Sequence, residues 1–133
     1  MTEEIGNVAR TREFVRLVQE QGRVERFDEF VHPEFRNHSA EPGLAGGRDG
    51  ARATMTLLHR ALADVRVEVV HCFEHDGVVA TNKIIRGRHV GDWLGQAATG
   101  SRVALHVMDF LRFEDGRIIE HWSTARPLRP IAD

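Results

Sequence analysis

The chain has no tyrosine, a single cysteine (Cys72) and a single lysine (Lys83) among its 133 residues. Without tyrosine there is no phenol to donate to a developing oxyanion. Without a second cysteine there is no internal disulfide and no Cys-x-x-Cys spacing for zinc. No apolar run approaches the length of a membrane span, and the opening residues 1–7 lack the basic and apolar regions of a signal peptide, so the expected location is cytoplasmic. A formal net charge of -2 speaks against nucleic acid or an anionic membrane as partner, because both favour a basic surface. A small molecule or another protein fits better. At this length the chain is expected to be one domain over residues 1–133, with no linker and no repeat.

What the chain does have is an acid inside an apolar strand. In the run 102–113, Val103, Leu105, Val107, Asp109, Leu111 and Phe113 share one face, since successive strand side chains alternate. A carboxylate on a core face is either paired or has a pKa raised into the range useful for proton transfer. Asp109 is therefore the candidate general acid or base.

The first third reads as helix, with Phe14, Leu17, Val18, Val24, Phe27, Phe30 and Val31 at three- and four-residue spacing and a break at Gly22. His32-Pro33 ends the second helix. Residues 33–48 are either a lid or conceal a short strand near Phe35-Arg36-Asn37-His38. A third helix is predicted from Asp49, as its cap, to about Ala63. Strands follow over 65–75, 78–89, 102–114 and 117–124, with turns at Asp76-Gly77 and Asp115-Gly116 and a long connection over 91–100. Helices followed by an antiparallel sheet make an α+β domain, with a cavity between the layers as the natural small-molecule site.

If Asp115-Gly116 are the two loop residues, Asp109 lies opposite Trp122 and Leu111 opposite Glu120. Trp122 then forms an aromatic wall, and Glu120 sits diagonally about 7 to 8 Å from Asp109, close enough to raise its pKa. The same register logic around Asp76-Gly77 puts Val65, Val67, Val69, His71 and Phe73 on a core face with Ala80, Asn82, Ile84, Arg86 and Arg88. Of the eight histidines, His38, His89 and His106 come from separate segments and are candidates to converge on the cavity, His106 only if a β-bulge turns it inward. Asn37, His38, His106, Trp122 and Glu120 are the expected substrate contacts. His71 and His75 lie about 13 Å apart on a strand and cannot share one metal ion. No metal centre is expected.

Three segments together resemble a known family: Gly87-Arg88-His89-Val90-Gly91, Thr99-Gly100-Ser101-Arg102-Val103, and the stretch from Asp109 through Asp115-Gly116 to Glu120-His121-Trp122. With Gly47-Arg48-Asp49-Gly50 they look like the signature of the SnoaL-like polyketide cyclases, over roughly residues 10–125. These belong to the nuclear transport factor two-like superfamily, whose cone-shaped α+β fold is shared with ketosteroid isomerases and limonene epoxide hydrolases. The resemblance implies helices packed on a curved antiparallel sheet, a homodimer joined through outer sheet faces, and a cofactor-free intramolecular aldol closure of a hydrophobic substrate. It assigns Asp109 as the proton-transferring acid, and His89, from the Gly-x-His-x-Gly match, as the neutral group beside the enolate oxygen. Arg88 stands where small residues are common in the family, and Ser123-Thr124-Ala125-Arg126-Pro127 lacks the acidic residue many members carry. The absence of tyrosine weakens a ketosteroid isomerase reading. An epoxide hydrolase would need Asp109, Glu120 and an arginine such as Arg88 around one water, and a non-catalytic binding or dimerisation module is the alternative of a different class.

Overall fold

A computed structural model describes residues 6–40 and 42–132; the opening residues 1–5, on which part of the expectation about targeting rests, lie outside these. Helix α1 (Asn7–Phe14) continues into a π-helical turn over Val15–Glu20, and Gly22 breaks the run at φ +73°. A 3₁₀ turn (Val24–Arg26) leads into the short helix α2 (Phe27–Phe30), and the chain enters strand β1 (Val31–Asn37) directly. Helix α3 (Arg48–Ala61) is followed at once by β2 (Leu62–His75), then β3 (Val78–His89), β4 (Arg102–Glu114), β5 (Arg117–Ala125) and the two-residue β6 (Arg129–Pro130).

Both Asp-Gly turns form as expected, with positive φ at Asp76, Gly77, Asp115 and Gly116. These are the dihedrals a two-residue hairpin loop requires, and they match the right-handed twist of the strands. The sheet runs β1-β5-β4-β3-β2, with β6 against the far end of β4. It is mixed, not purely antiparallel, because β1 pairs parallel with β5. The segment thought to be a lid or a hidden strand is that strand, and it is irregular. Three extra residues loop out between Val31 and Arg36, where Pro33 has no N–H to give the ladder. Helix α3 starts after Gly47, with no side-chain cap; Asp49 lies in its first turn, bonded to Arg52 at 3.0 Å.

The helices cover one face of the curved sheet and close a cone over two apolar clusters. One gathers Phe14, Phe27, Phe30, Phe35, Val79, Leu111 and Ile118 near the hairpin turns. The other gathers Leu58, Leu62, Val65, Ile85, Trp93 and Leu105 at the opposite end. On β3 the inner face passes from Val79 through Thr81 and Lys83 to Ile85, and on β4 from Leu111 through Asp109 to Leu105. A polar waist thus separates two hydrophobic cores. Among the described residues no helix is long and apolar enough to cross a membrane.

Two bulges decide which side chains reach that waist. Around Asp76-Gly77 the expected pairs Phe73 with Ala80 and His71 with Asn82 form, but on the outer face, where Phe73 is 61% exposed. An irregularity between Val69 and His71 then resets the register, so that Val69 faces Lys83 and Val67 faces Ile85 on the inside. The buried alternation of β3 runs Val79, Thr81, Lys83, Ile85, opposite to the expected Ala80, Asn82, Ile84, Arg86. In the last hairpin Phe113 faces Ile118 as predicted, but Arg112 faces Glu120, which makes Ile119 the extra residue of a bulge. From there Leu111 faces His121, Phe110 faces Trp122 and Asp109 faces Ser123. One inserted residue moves Glu120 and Trp122 out and His121 in.

Candidate active site

Three strands bring Asp109, Thr81, Lys83 and His121 together. Thr81 lies directly across from Asp109, and its hydroxyl donates to Oδ1 of the carboxylate. Asp109 Oδ2 lies 3.3 Å from Lys83 Nζ and 3.1 Å from His121 Nε2. Burial by itself pushes the Asp109 carboxyl upward. The Lys83 ammonium, the hydrogen bond and charge of His121, and the Thr81 hydroxyl outweigh it, leaving the carboxyl well below the usual carboxylate range. The expectation of a raised pKa through Glu120 is corrected: the neighbours that reach Asp109 are cationic or donors.

His121 is held from its other side. Its Nδ1 lies 3.2 Å from Asn37 Oδ1, an oxygen that also accepts the Ser39 N–H at 2.9 Å, and Phe35 stacks against the ring. Each ring nitrogen thus lies against a side-chain oxygen, which fixes the ring between Asn37 and Asp109.

This cluster borders two adjoining lobes of one chamber, of about 100 Å³ and about 150 Å³. The inner lobe is walled by Phe14, Phe27, Phe35, Met55 and Ile118. The outer lobe is lined by Leu44, Trp93, Leu94 and Leu105. Asn37, Lys83, Asp109 and His121 line both lobes, together with Gln19, Thr54 and Met55. An apolar space with a few convergent polar groups can orient a hydrophobic substrate and exchange a proton with it.

Of the residues singled out from sequence, Asp109 and Asn37 line this chamber. Four others point away from it. Glu120 binds His38 Nε2 at 2.7 Å and Arg112 on the outside of the sheet, and those two contacts hold its carboxyl below the usual range. His38 stacks on Trp122 at 4.8 Å, so all three form one outer network. His106 stays on the face opposite Asp109, with Nε2 2.6 Å from Asn82 Oδ1, because the bulge falls in β5 and β4 keeps its alternation. His89 is also corrected in position. It is buried at the end of β3 opposite Leu62, six residues and so about 20 Å along the strand from Lys83, and lines neither lobe. Arg88, beside it, bonds the Gly100 carbonyl, so the epoxide-hydrolase set of Asp109, Glu120 and Arg88 is not assembled.

Lys83 and His121 were missed in the sequence. A signal for His121 existed: Ile118 and Ile119 are adjacent apolar residues in an otherwise alternating strand, which is how a bulge reads. For Lys83 there was none, because the long connection after His89 leaves the register of β3 on β4 open.

Helices packed as a cone on a curved sheet, enclosing a buried acid, ammonium and imidazole, make the nuclear transport factor two-like fold. The model of the SnoaL-like polyketide cyclases matches residues 9–127, and the chain belongs to that family. The chain is 30% identical over 103 residues, 75% of its length and 71% of the relative's, to the aklanonic acid methyl ester cyclase DnrD of Streptomyces peucetius. It is 28% identical over 102 residues, 75% of its length and 76% of the relative's, to the nogalonic acid methyl ester cyclase of Streptomyces nogalater. Among solved structures, TsrD from Streptomyces laurentii superposes with a TM-score of 0.81 at 23% identity, covering 93% of this chain and 91% of its own.

Proposed function

We propose that this protein is a cofactor-free polyketide cyclase that closes a ring by intramolecular aldol addition in the chamber around Asp109. The observation that carries the reading is the meeting of a buried carboxylate and a buried ammonium at the border of an apolar space. Asp109 takes a proton from the carbon α to a carbonyl, and the enolate carbon attacks a second carbonyl of the same molecule. The alkoxide so formed takes the proton back from Asp109. The Lys83 ammonium serves both states, since the negative charge moves from Asp109 to an enolate oxygen lying against the same cation. Lys83 weakens Asp109 as a base while it is engaged with the carboxylate alone. As a substrate oxygen shares that cation, the carboxylate loses part of its stabilisation and gains proton affinity. His121, fixed by Asn37, holds Asp109 together with Thr81 and Lys83 and keeps it oriented.

The relatives are named for methyl esters of aklanonic and nogalonic acids, so a methyl ester of this kind is the substrate to test. With aklanonic acid methyl ester, chromatography is expected to show a cyclised isomer of equal mass. Asp109→Asn is expected to lower kcat by about 10²-fold or more without unfolding the protein. A folded Asp109→Asn variant with unchanged turnover overturns the reading. The competing reading, a binding module without catalysis, draws on the same ion pair, because Lys83 satisfies Asp109 without any substrate. A wild-type protein that binds the ester and never converts it favours that one.

The reading includes a cytoplasmic homodimer. Phe73, Met108 and Phe110 stand more than half exposed on the outer face, with Trp122 beside them, and a second copy with the same face would cover them. Ile119, which plain strand alternation from Asp115-Gly116 would put on that outer face, is buried in the bulge. Sedimentation of wild type at twice the monomer mass, and of Phe110→Asp at the monomer mass, supports the dimer; a monomeric wild type overturns it.

A further inference from the structure

The π-helical turn puts an unusual side chain into the chamber. Gln19 is 7% exposed and lines both lobes beside Asp109, Lys83 and His121, yet its Oε1 has no hydrogen-bond partner among the described residues. Buried side-chain oxygens are nearly always paired, because an unpaired one has given up water for nothing. The backbone around it is distorted to hold this orientation. The Gln21 N–H reaches five residues back to the Arg16 carbonyl at 3.1 Å, which adds a residue to the turn and brings Leu17, Val18 and Gln19 to the interior in succession. Such π-turns are rare and occur frequently at functional sites. Both neighbours of Gln19 are pinned: the Val18 carbonyl contacts His59 Nε2 at 3.0 Å, and the Glu20 carboxylate accepts the Val67 N–H at 2.8 Å. Gln19 therefore cannot turn away with its helix.

We propose that Gln19 is a specificity residue whose amide oxygen accepts a hydrogen bond from an aryl or enol hydroxyl of the substrate, registering the polyketide against Asp109 and Lys83. The proposal rests on the cyclase reading of the chamber and adds a hydroxyl to the substrate class. Asn37, Thr54, Lys83, Asp109 and His121 share the lining with Gln19, and the rest of the inner wall is apolar, as at Phe14, Phe27 and Met55, so a further acceptor fixed at Gln19 discriminates between a hydroxylated ring and a bare one.

The test uses two stable probes of nearly equal shape, 2-naphthol and 2-methylnaphthalene, with binding read by quenching of tryptophan fluorescence, Trp93 lying in the outer lobe. Wild type is expected to prefer 2-naphthol by about tenfold. Gln19→Met, nearly equal in length, is expected to bind both alike. Because Met removes an orphaned polar atom, Tm is expected to hold or rise, whereas a structural glutamine would lower it. In wild type, the Gln19 side-chain amide signal in NMR is expected to move with 2-naphthol and not with 2-methylnaphthalene, which decides the matter even if the variant folds poorly. Retained preference in Gln19→Met, failure of wild type to bind either probe, or an unmoved amide signal overturns the proposal. None of these measurements reads turnover, so failure of the cyclase reading shows separately in the Asp109→Asn experiment.

Discussion

Asp109 and Lys83 meet at 3.3 Å with only 4% and 2% of their side chains exposed. Two charges taken this far out of water are stable only together. Their attraction offsets a desolvation cost that either alone could not bear. The only lysine of the chain is thus tied to the one acid on the inner face of the central strands.

Lys83→Met removes one partner and leaves a buried carboxylate. Urea unfolding at neutral pH is expected to show a loss of about 3–5 kcal/mol. Replacing both, as Lys83→Met with Asp109→Leu, is expected to recover most of that loss, since an apolar pair of similar volume carries no desolvation penalty. A double variant as unstable as the single one shows that the pair's role is not electrostatic.

Acid stability follows from the same carboxylate. Its value in the folded protein lies below the value near 4 of the unfolded chain, so on acidification the unfolded chain takes up the proton first. The stabilisation is complete above the unfolded value and is lost as pH falls toward the folded one. Between about pH 4 and pH 2 the unfolding free energy of wild type is expected to fall more steeply than that of Asp109→Asn, by about one proton's slope of 1.4 kcal/mol per pH unit. Equal slopes contradict the assignment.

Turnover carries a matching signature. Without Lys83 the largest influence left on Asp109 is burial, which pushes its carboxyl upward. In Lys83→Met the acid limb of kcat/KM is expected to move to higher pH, and Thr81→Val to move it in the same direction by less. An acid limb that stays in place indicates that Asp109 is not the group titrating in catalysis.

Gly50 lies against the loop that lines the outer lobe at Ala45. A Cβ there would lie 2.0 Å from the Ala45 carbonyl oxygen, which is backbone and cannot rotate aside. Gly50→Ala is expected to push out the loop that carries Leu44 and Ala45, both lining the outer lobe. A loss of about 1–3 kcal/mol in stability and a higher KM are expected. Unchanged melting shows that the loop yields freely.

Much of the fold was written locally. The turns at Asp76-Gly77 and Asp115-Gly116 bounded four strands to within three residues, and helix α3 ends at Ala61, two residues short of its expected end. Asp109 stood out because alternation on β4 is unbroken. The rest of the site was harder to read because the bulge after Val69 leaves no mark in the sequence and the one at Ile119 shows only as two adjacent apolar residues, Ile118 and Ile119. A single extra residue reverses the face of every side chain beyond it, which is why Glu120 and Trp122 were expected in the cavity and His121 was not.

Short-range physics in the chain itself, namely turn chemistry, strand alternation and the isolation of one acid among apolar neighbours, determined the layers, the four long strands and the proton-transferring candidate. The partners of that acid were decided in three dimensions. Lys83 reaches Asp109 through a pairing of β3 with β4 that no loop length dictates, and His121 through the bulge; Gln19 joins the lining of the same chamber through a π-turn whose neighbours are held by His59 and Val67. Each depends on contacts between segments far apart in sequence, whose register is chosen by packing and not by any local preference.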